Sequence, residues 1–183
     1  GETTNTGVNS GSQWLVDTSW YDSHGNVVQT LDGAGWAQVQ AAAAADRQGV
    51  AIDASSFTDY NADGSRAEHA WGPVHTATLN NGTMGRYRSH TAYTYDDEGT
   101  YPGRPTPPNG QTSWDVVMQT SSSAALPDKT GVFDETIARN SYTKLGDGDV
   151  DTWDLGSPTK TEVQNSSGGW ETVSLTRYNA EVK

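Results

Sequence analysis

The chain has no cysteine, and it is short of the residues that usually fill a core. Without Cys there is no disulfide, no thiolate-bound zinc and no thiol nucleophile, although the compartment stays open. Of 183 residues only 25 are Leu, Ile, Val or Phe (7, 2, 14 and 2). Such poverty combined with a high net charge flags disorder. Basic residues are scarce too: 11 Lys and Arg stand against 23 Asp and Glu, a formal net charge of −12. That balance argues against nucleic acid, whose phosphates need neutralising cations, and against an anionic membrane surface. No apolar run approaches the ~18 residues of a membrane helix, so no membrane insertion is expected.

What the chain has instead is 7 Trp and 8 Tyr. Each can bury about 150–250 Å², and aromatic and β-branched residues suit the pleated, half-buried surface of a sheet. The pattern along the chain agrees. In 14–21, Trp14, Val16, Thr18 and Trp20 share one face, while Leu15, Asp17, Ser19 and Tyr21 share the other. Further strand patterns run over 26–31, 50–60, 65–71, 74–79, 83–95, 113–120, 132–142, 158–164 and 170–178, and we count about eleven strands. Asn80-Asn81-Gly82 carries the Asn-Gly signature of a two-residue type I′ hairpin turn. Residues 96–111, rich in Gly and Pro, read as a loop. At most one short helix is expected, near 36–48, with Gly49 as its C-terminal cap. Residues 1–13 read as a frayed lead-in without a secretory signal, and 14–183 as a single repeat region. The missing Met at Gly1 and the abrupt end at Val182-Lys183 lead us to expect an excised piece of a longer chain.

Self-similarity is the most informative feature. Five units place a Tyr at the end of a strand, usually followed by Asp or Asn and often by a Gly turn. They are Tyr21-Asp22 with Gly25, Tyr60-Asn61 with Gly64, Tyr95-Asp96 with Gly99, Tyr142, and Tyr178-Asn179. The Tyr-to-Tyr intervals are 39, 35, 47 and 36 residues. In each unit Tyr covers the sheet, Asp or Asn opens the turn through its side chain, and Gly closes it. These units resemble the RHS or YD-repeat family, whose signature is Tyr-Asp followed by Gly in strand-turn-strand units. Tyr93-Thr94-Tyr95-Asp96 and Trp153-Asp154-Leu155-Gly156 look like actinobacterial members. The resemblance implies an all-β fold of serial antiparallel hairpins in a twisted sheet. It also implies a bacterial extracellular or cell-surface location and a shell wall around a toxin or other cargo. Its partners would then be neighbouring repeats or other parts of the parent protein. The family's self-cleavage step uses an Asp-Pro motif; no Asp-Pro occurs here, so that step is not carried over.

Candidate chemistry is sparse. Asp59-x-Asn61-x-Asp63-Gly64 begins like a calcium loop, but position twelve of an EF-hand is Ala70 here, and a hairpin turn explains the same residues. Asp147, Asp149 and Asp151, with Asp154 nearby, form the better calcium candidate, because clustered carboxylates repel unless solvated or bridged by a cation. No other cofactor is expected. Ser157-x-x-Lys160 spells an acyl-enzyme motif but follows a Gly turn into a strand, which points Ser and Lys to opposite faces. His69 and His75 flank Gly72-Pro73, while His24 and His90 stand alone. We therefore expect a non-catalytic structural β-repeat segment. The alternatives are a carbohydrate-binding β-sandwich that uses exposed Trp, its glycan-contacting residues unassigned, and, last, a hydrolase.

Overall fold

The computed structural model describes residues 2–9, 11, 14–101 and 103–178. Among these the chain is all-β: eleven strands, joined mostly by hairpins, and two short α-helices. The strands are β1 (Thr3–Asn9), β2 (Trp14–Tyr21), β3 (Val27–Leu31), β4 (Ser56–Tyr60), β5 (Ala67–Trp71), β6 (His75–Thr78), β7 (Met84–Tyr95), β8 (Val117–Ala125), β9 (Phe133–Ser141), β10 (Lys160–Gln164) and β11 (Trp170–Leu175). One open sheet runs β1-β2-β3-β4-β5-β7-β8-β9-β10-β11, with β6 paired to β7. Apart from β6, which lies off this path against β7, successive strands are sheet neighbours, as serial hairpins require. The sandwich of the carbohydrate alternative is replaced by this single sheet. Contacts divide the chain into two compact units: Gly1–Thr91 with Ser123–Glu135, and Ala92–Ser122 with Thr136–Lys183.

Unit one corrects three expectations. The lead-in contains β1, which pairs with β2 in continuous antiparallel register from Thr3↔Trp20 to Asn9↔Trp14. A sequence of Thr, Asn and Gly offers no hydrophobic alternation to read, so its strand state depends on the partner. The single helix near 36–48 is instead two, α1 (Gly33–Ala41) and α2 (Arg47–Ala54). Asp32 caps α1 by accepting from the Gly35 amide at 2.7 Å. The alanine run then breaks: Ala42 is extended, and the Arg47 guanidinium bonds the carbonyls of Ala42 and Gln40 at 3.3 and 3.4 Å. Five alanines bury too little surface to hold a continuous helix, while orphan carbonyls at a helix end attract a cation. Gly49 therefore lies inside α2, and 50–54 is helix rather than strand.

The turns share one construction. At Asp22–Asn26, Leu79–Thr83, Leu126–Thr130 and Asn165–Gly169 the first residue's amide bonds the fifth residue's carbonyl. The fourth residue's amide bonds back to the first carbonyl. The fourth residue has positive φ: +87° at Gly25, +85° at Gly82, +68° at Lys129 and +82° at Gly168. These are three-residue loops with a left-handed third position. Asn81 thus does not start a type I′ turn, since positive φ in that turn is confined to Gly82. The turn at Asn61 is one residue longer, closing on Arg66 and again placing Gly64 at positive φ.

The second unit builds its core from Val116, Met118, Tyr142 and Trp153, with Tyr101 and Trp114 packed against them. Residues 113–116 belong to the preceding loop rather than to β8, and Asp115 has positive φ. Of the seven Trp, Trp71 and Trp153 are buried, Trp14 is exposed, and the rest are half-buried, so aromatics do fill the aliphatic-poor interior.

Candidate functional site

The five Tyr units divide into turns and hubs. Asp22 behaves as expected of a turn opener: Oδ1 accepts from the amides of His24 (2.8 Å) and Asn26 (2.9 Å). Asn61 does the same for the Arg66 amide at 3.1 Å. These two neighbouring turns also lock together. Asn26 donates to the Gly64 carbonyl at 2.7 Å, and a Cβ at Gly64 would lie 2.6 Å from the His24 ring. Tyr95-Asp96 is different. Asp96 is fully buried and accepts from Ser113 (2.5 Å), the Trp114 amide (3.0 Å), Arg104 (2.8 Å) and the Val116 amide (3.4 Å). It gathers the Pro-rich loop instead of turning a hairpin, and Gly99 has no positive φ there. Burial alone would raise the Asp96 carboxyl, but these hydrogen bonds and Arg104 outweigh it and hold it below the usual carboxylate range. Tyr142 is buried, donates to the Val117 carbonyl at 2.9 Å, and has its phenol pushed up to about 12 by that burial. The Tyr178 carbonyl accepts from the Val150 amide at 2.9 Å, and Asn179 lies outside the described residues.

Neither acidic motif forms a metal centre among the described residues. Asp59-Asn61-Asp63 is the β4–β5 turn, where Asp63 accepts from Ser65. Asp147, Asp149 and Asp151 are close in sequence, but no group of three or more His, Asp or Glu among the described residues is arranged to hold an ion. Asp151 is spent on the Lys144 amide at 2.8 Å. Ser157 and Lys160 do not pair: Ser157 bonds the Leu155 carbonyl, and Lys160 lies 3.1 Å from Glu162.

One histidine grouping escaped the sequence reading. In unit one, His69 Nδ1 lies 3.1 Å from His90 Nε2, and His90 Nδ1 lies 3.0 Å from Ser123 Oγ. The two ring centres are 5.3 Å apart, so the nitrogens lie nearly on the line between them and face each other head-on. That alignment is a hydrogen bond; two imidazoles chelating one ion would converge at an angle. Burial, then the His69 charge, lower the His90 pKa, against a raising influence from Glu135. Trp71 stacks on His90 at 5.2 Å, and Lys129 sits 4.3 Å over both the Phe57 and Trp71 rings. His69, His90 and Ser123 are separated by 21 and 33 residues. Only sheet pairing aligns them, so no local motif could have announced the chain.

Unit two holds a cleft of about 440 Å³, walled by Tyr101, Gln119, Arg139, Lys160, Glu162 and Trp170. Cross-strand register creates its charged wall, because Arg139 of β9 pairs directly with Glu162 of β10. Arg139 Nε donates to Glu162 Oε2 at 2.8 Å, and Lys160 reaches the same oxygen at 3.1 Å. Arg139, then Lys160, hold the Glu162 carboxyl below its ordinary range. The guanidinium lies 4.0 Å over the Trp170 ring. Aromatic surface and fixed polar groups thus meet in one concavity. No protein-family model, curated protein or solved structure matches the chain.

Proposed function

We propose that the chain is a structural β-wall segment of the RHS or YD-repeat kind, outside the cell or on its surface, around a toxin or other cargo. The strand order carries this reading. Successive hairpins add to one sheet; among the described residues β1 pairs with β2 alone and β11 with β10 alone, and a further strand can extend either end. The β1 edge, Thr-Thr-Asn-Thr-Gly-Val-Asn, has no charge and no Pro, the devices that normally protect an edge. Sedimentation velocity tests the idea. At about 100 μM, a concentration at which weak edge pairing is populated, the chain is expected to self-associate, and Thr6→Lys with Val173→Lys is expected to make it monomeric. A wild-type chain monomeric throughout means closed edges and overturns the wall.

A second reading is supported by the cleft. In this reading, carbohydrate binds in the groove beside Trp170 and Tyr101, where aromatic side chains and hydrogen-bonding groups meet. Tryptophan emission titrated with neutral and acidic disaccharides tests it, and silence with both removes it.

A further inference from the structure

We propose that the unit-two cleft selects a carboxylate-bearing saccharide of the uronic-acid class, with Arg139 as the anion receptor; this rests on the carbohydrate reading above. The argument starts from what holds Arg139 and what does not. Its Nε is bonded to Glu162, and its plane lies against Trp170. Those two contacts fix the fork before any ligand arrives, so little side-chain entropy remains to be lost on binding. The terminal nitrogens, Nη1 and Nη2, make no hydrogen bond among the described residues, and the side chain is 43% exposed into a cleft. A guanidinium with its two outer donors open is the geometry that recognises a planar carboxylate bidentately.

The charge of the wall sets the ligand's charge. Arg139 and Lys160 face one carboxylate, Glu162, leaving one net positive charge in a chain of −12. A monoanion fits that balance. A phosphate dianion or a polyanion would meet Glu162 at close range and the field of the whole chain beyond it. The body of the ligand is set by the other wall, where Tyr101 adds aromatic surface, and Gln119 and the Ser141–Thr143 hydroxyl pair, 3.0 Å apart, offer donors and acceptors for hydroxyls.

The probes are cellobiouronate, a disaccharide with a single carboxylate, and its neutral counterpart cellobiose, measured by calorimetry and tryptophan emission on the whole chain. Cellobiouronate is expected to bind about tenfold more tightly than cellobiose, and Arg139→Lys to abolish that preference, because an ammonium keeps the charge but loses the fork. Glu162→Gln keeps the fork and removes the competing carboxylate, so it should strengthen acid binding; it remains informative if Arg139→Lys fails to fold. Trp14→Ala, far from the cleft in sequence and in the other unit, should change nothing. Equal binding of both sugars, or an Arg139→Lys protein that keeps its preference, overturns the acidic class and leaves the carbohydrate reading standing. Neither sugar binding at about 10 mM, beyond the weakest useful affinities, overturns both.

Discussion

Among the described residues the two compact units each bury one charged side chain, and they use opposite signs. In unit one Arg88 is 1% exposed and donates to four carbonyls: Ile52 (2.7 Å), Ser55 (2.8 Å), Gly72 (2.8 Å) and Pro127 (2.9 Å). It has no carboxylate bonded to it among the described residues, and burial lowers its pKa. In unit two Asp96, eight residues further along, is 0% exposed and collects two amides, a hydroxyl and Arg104. The difference teaches what decides the sign. Where carbonyls with open lone pairs gather, as at the end of α2 with Ile52, which takes only the Ser55 amide at 3.3 Å, and Ser55, a cation satisfies them. Where a loop approaches with free amides, as at Trp114 and Val116, an anion does. Each hub does locally what a larger apolar core would otherwise do, which suits a chain with so few aliphatic residues.

The largest effect is expected at Arg88. Arg88→Met should cost about 4 kcal/mol, because it removes four hydrogen bonds to backbone carbonyls and leaves those of Ser55, Gly72 and Pro127 without the guanidinium. Hydrogen exchange should rise over 52–72 and near 127 while unit two stays protected; equal loss in both units would mean that they fold as one block. Asp96→Asn should cost about 2–3 kcal/mol in urea unfolding, since the amide keeps the volume but leaves Arg104 uncompensated. Its exchange should rise over the loop 103–116, and an unchanged loop would refute the hub.

Acid separates the units on a finer scale. His90 and Asp96 both have depressed folded-state pKa values. For each, the unfolded chain binds more protons in the window between the two pKa values, so stability falls as pH falls there. Unit one should weaken below the ordinary histidine pKa of about 6.5, and unit two below the ordinary aspartate pKa of about 3.9. Thermal melts with unit-specific exchange check this; His90→Gln should flatten the first decline only. Smaller still, Tyr142→Phe should cost about 1 kcal/mol by removing one of two hydrogen bonds to the Val117 carbonyl, which keeps the Asn140 side-chain amide at 2.9 Å. Smallest, Lys129→Gly should change stability by less than about 1 kcal/mol, because relief of a positive φ opposes loss of two ring contacts.

Legibility followed the range of the interaction. Turn chemistry at Asp22, Asn61, Gly25 and Gly64 could be read directly, because an Asx bond and a positive φ are settled within five residues. The strand over 14–21 could be read from alternation alone. The same dipeptide misled at Tyr95-Asp96, where a loop that returns 17 to 20 residues later captures the carboxylate. The strand state of β1 and the break after α1 were illegible for a related reason: neither carries a hydrophobic pattern, and each depends on a partner. In the cleft, Trp170 and Tyr101 were visible as aromatics, but Arg139 became notable only when register set it opposite Glu162 and stacking set it on Trp170.

By itself, then, the amino-acid order determined the fold class, the Asx turns at Asp22 and Asn61 and the use of Trp and Tyr as filler, since all of these rest on local dihedral preference and side-chain alternation. Only the tertiary structure decided which charges are buried, which histidines touch and which arginine stands open to a ligand. Those outcomes depend on backbone groups and partners 16 to 39 residues away, and a carbonyl or an amide that completes a site has no letter of its own in the sequence.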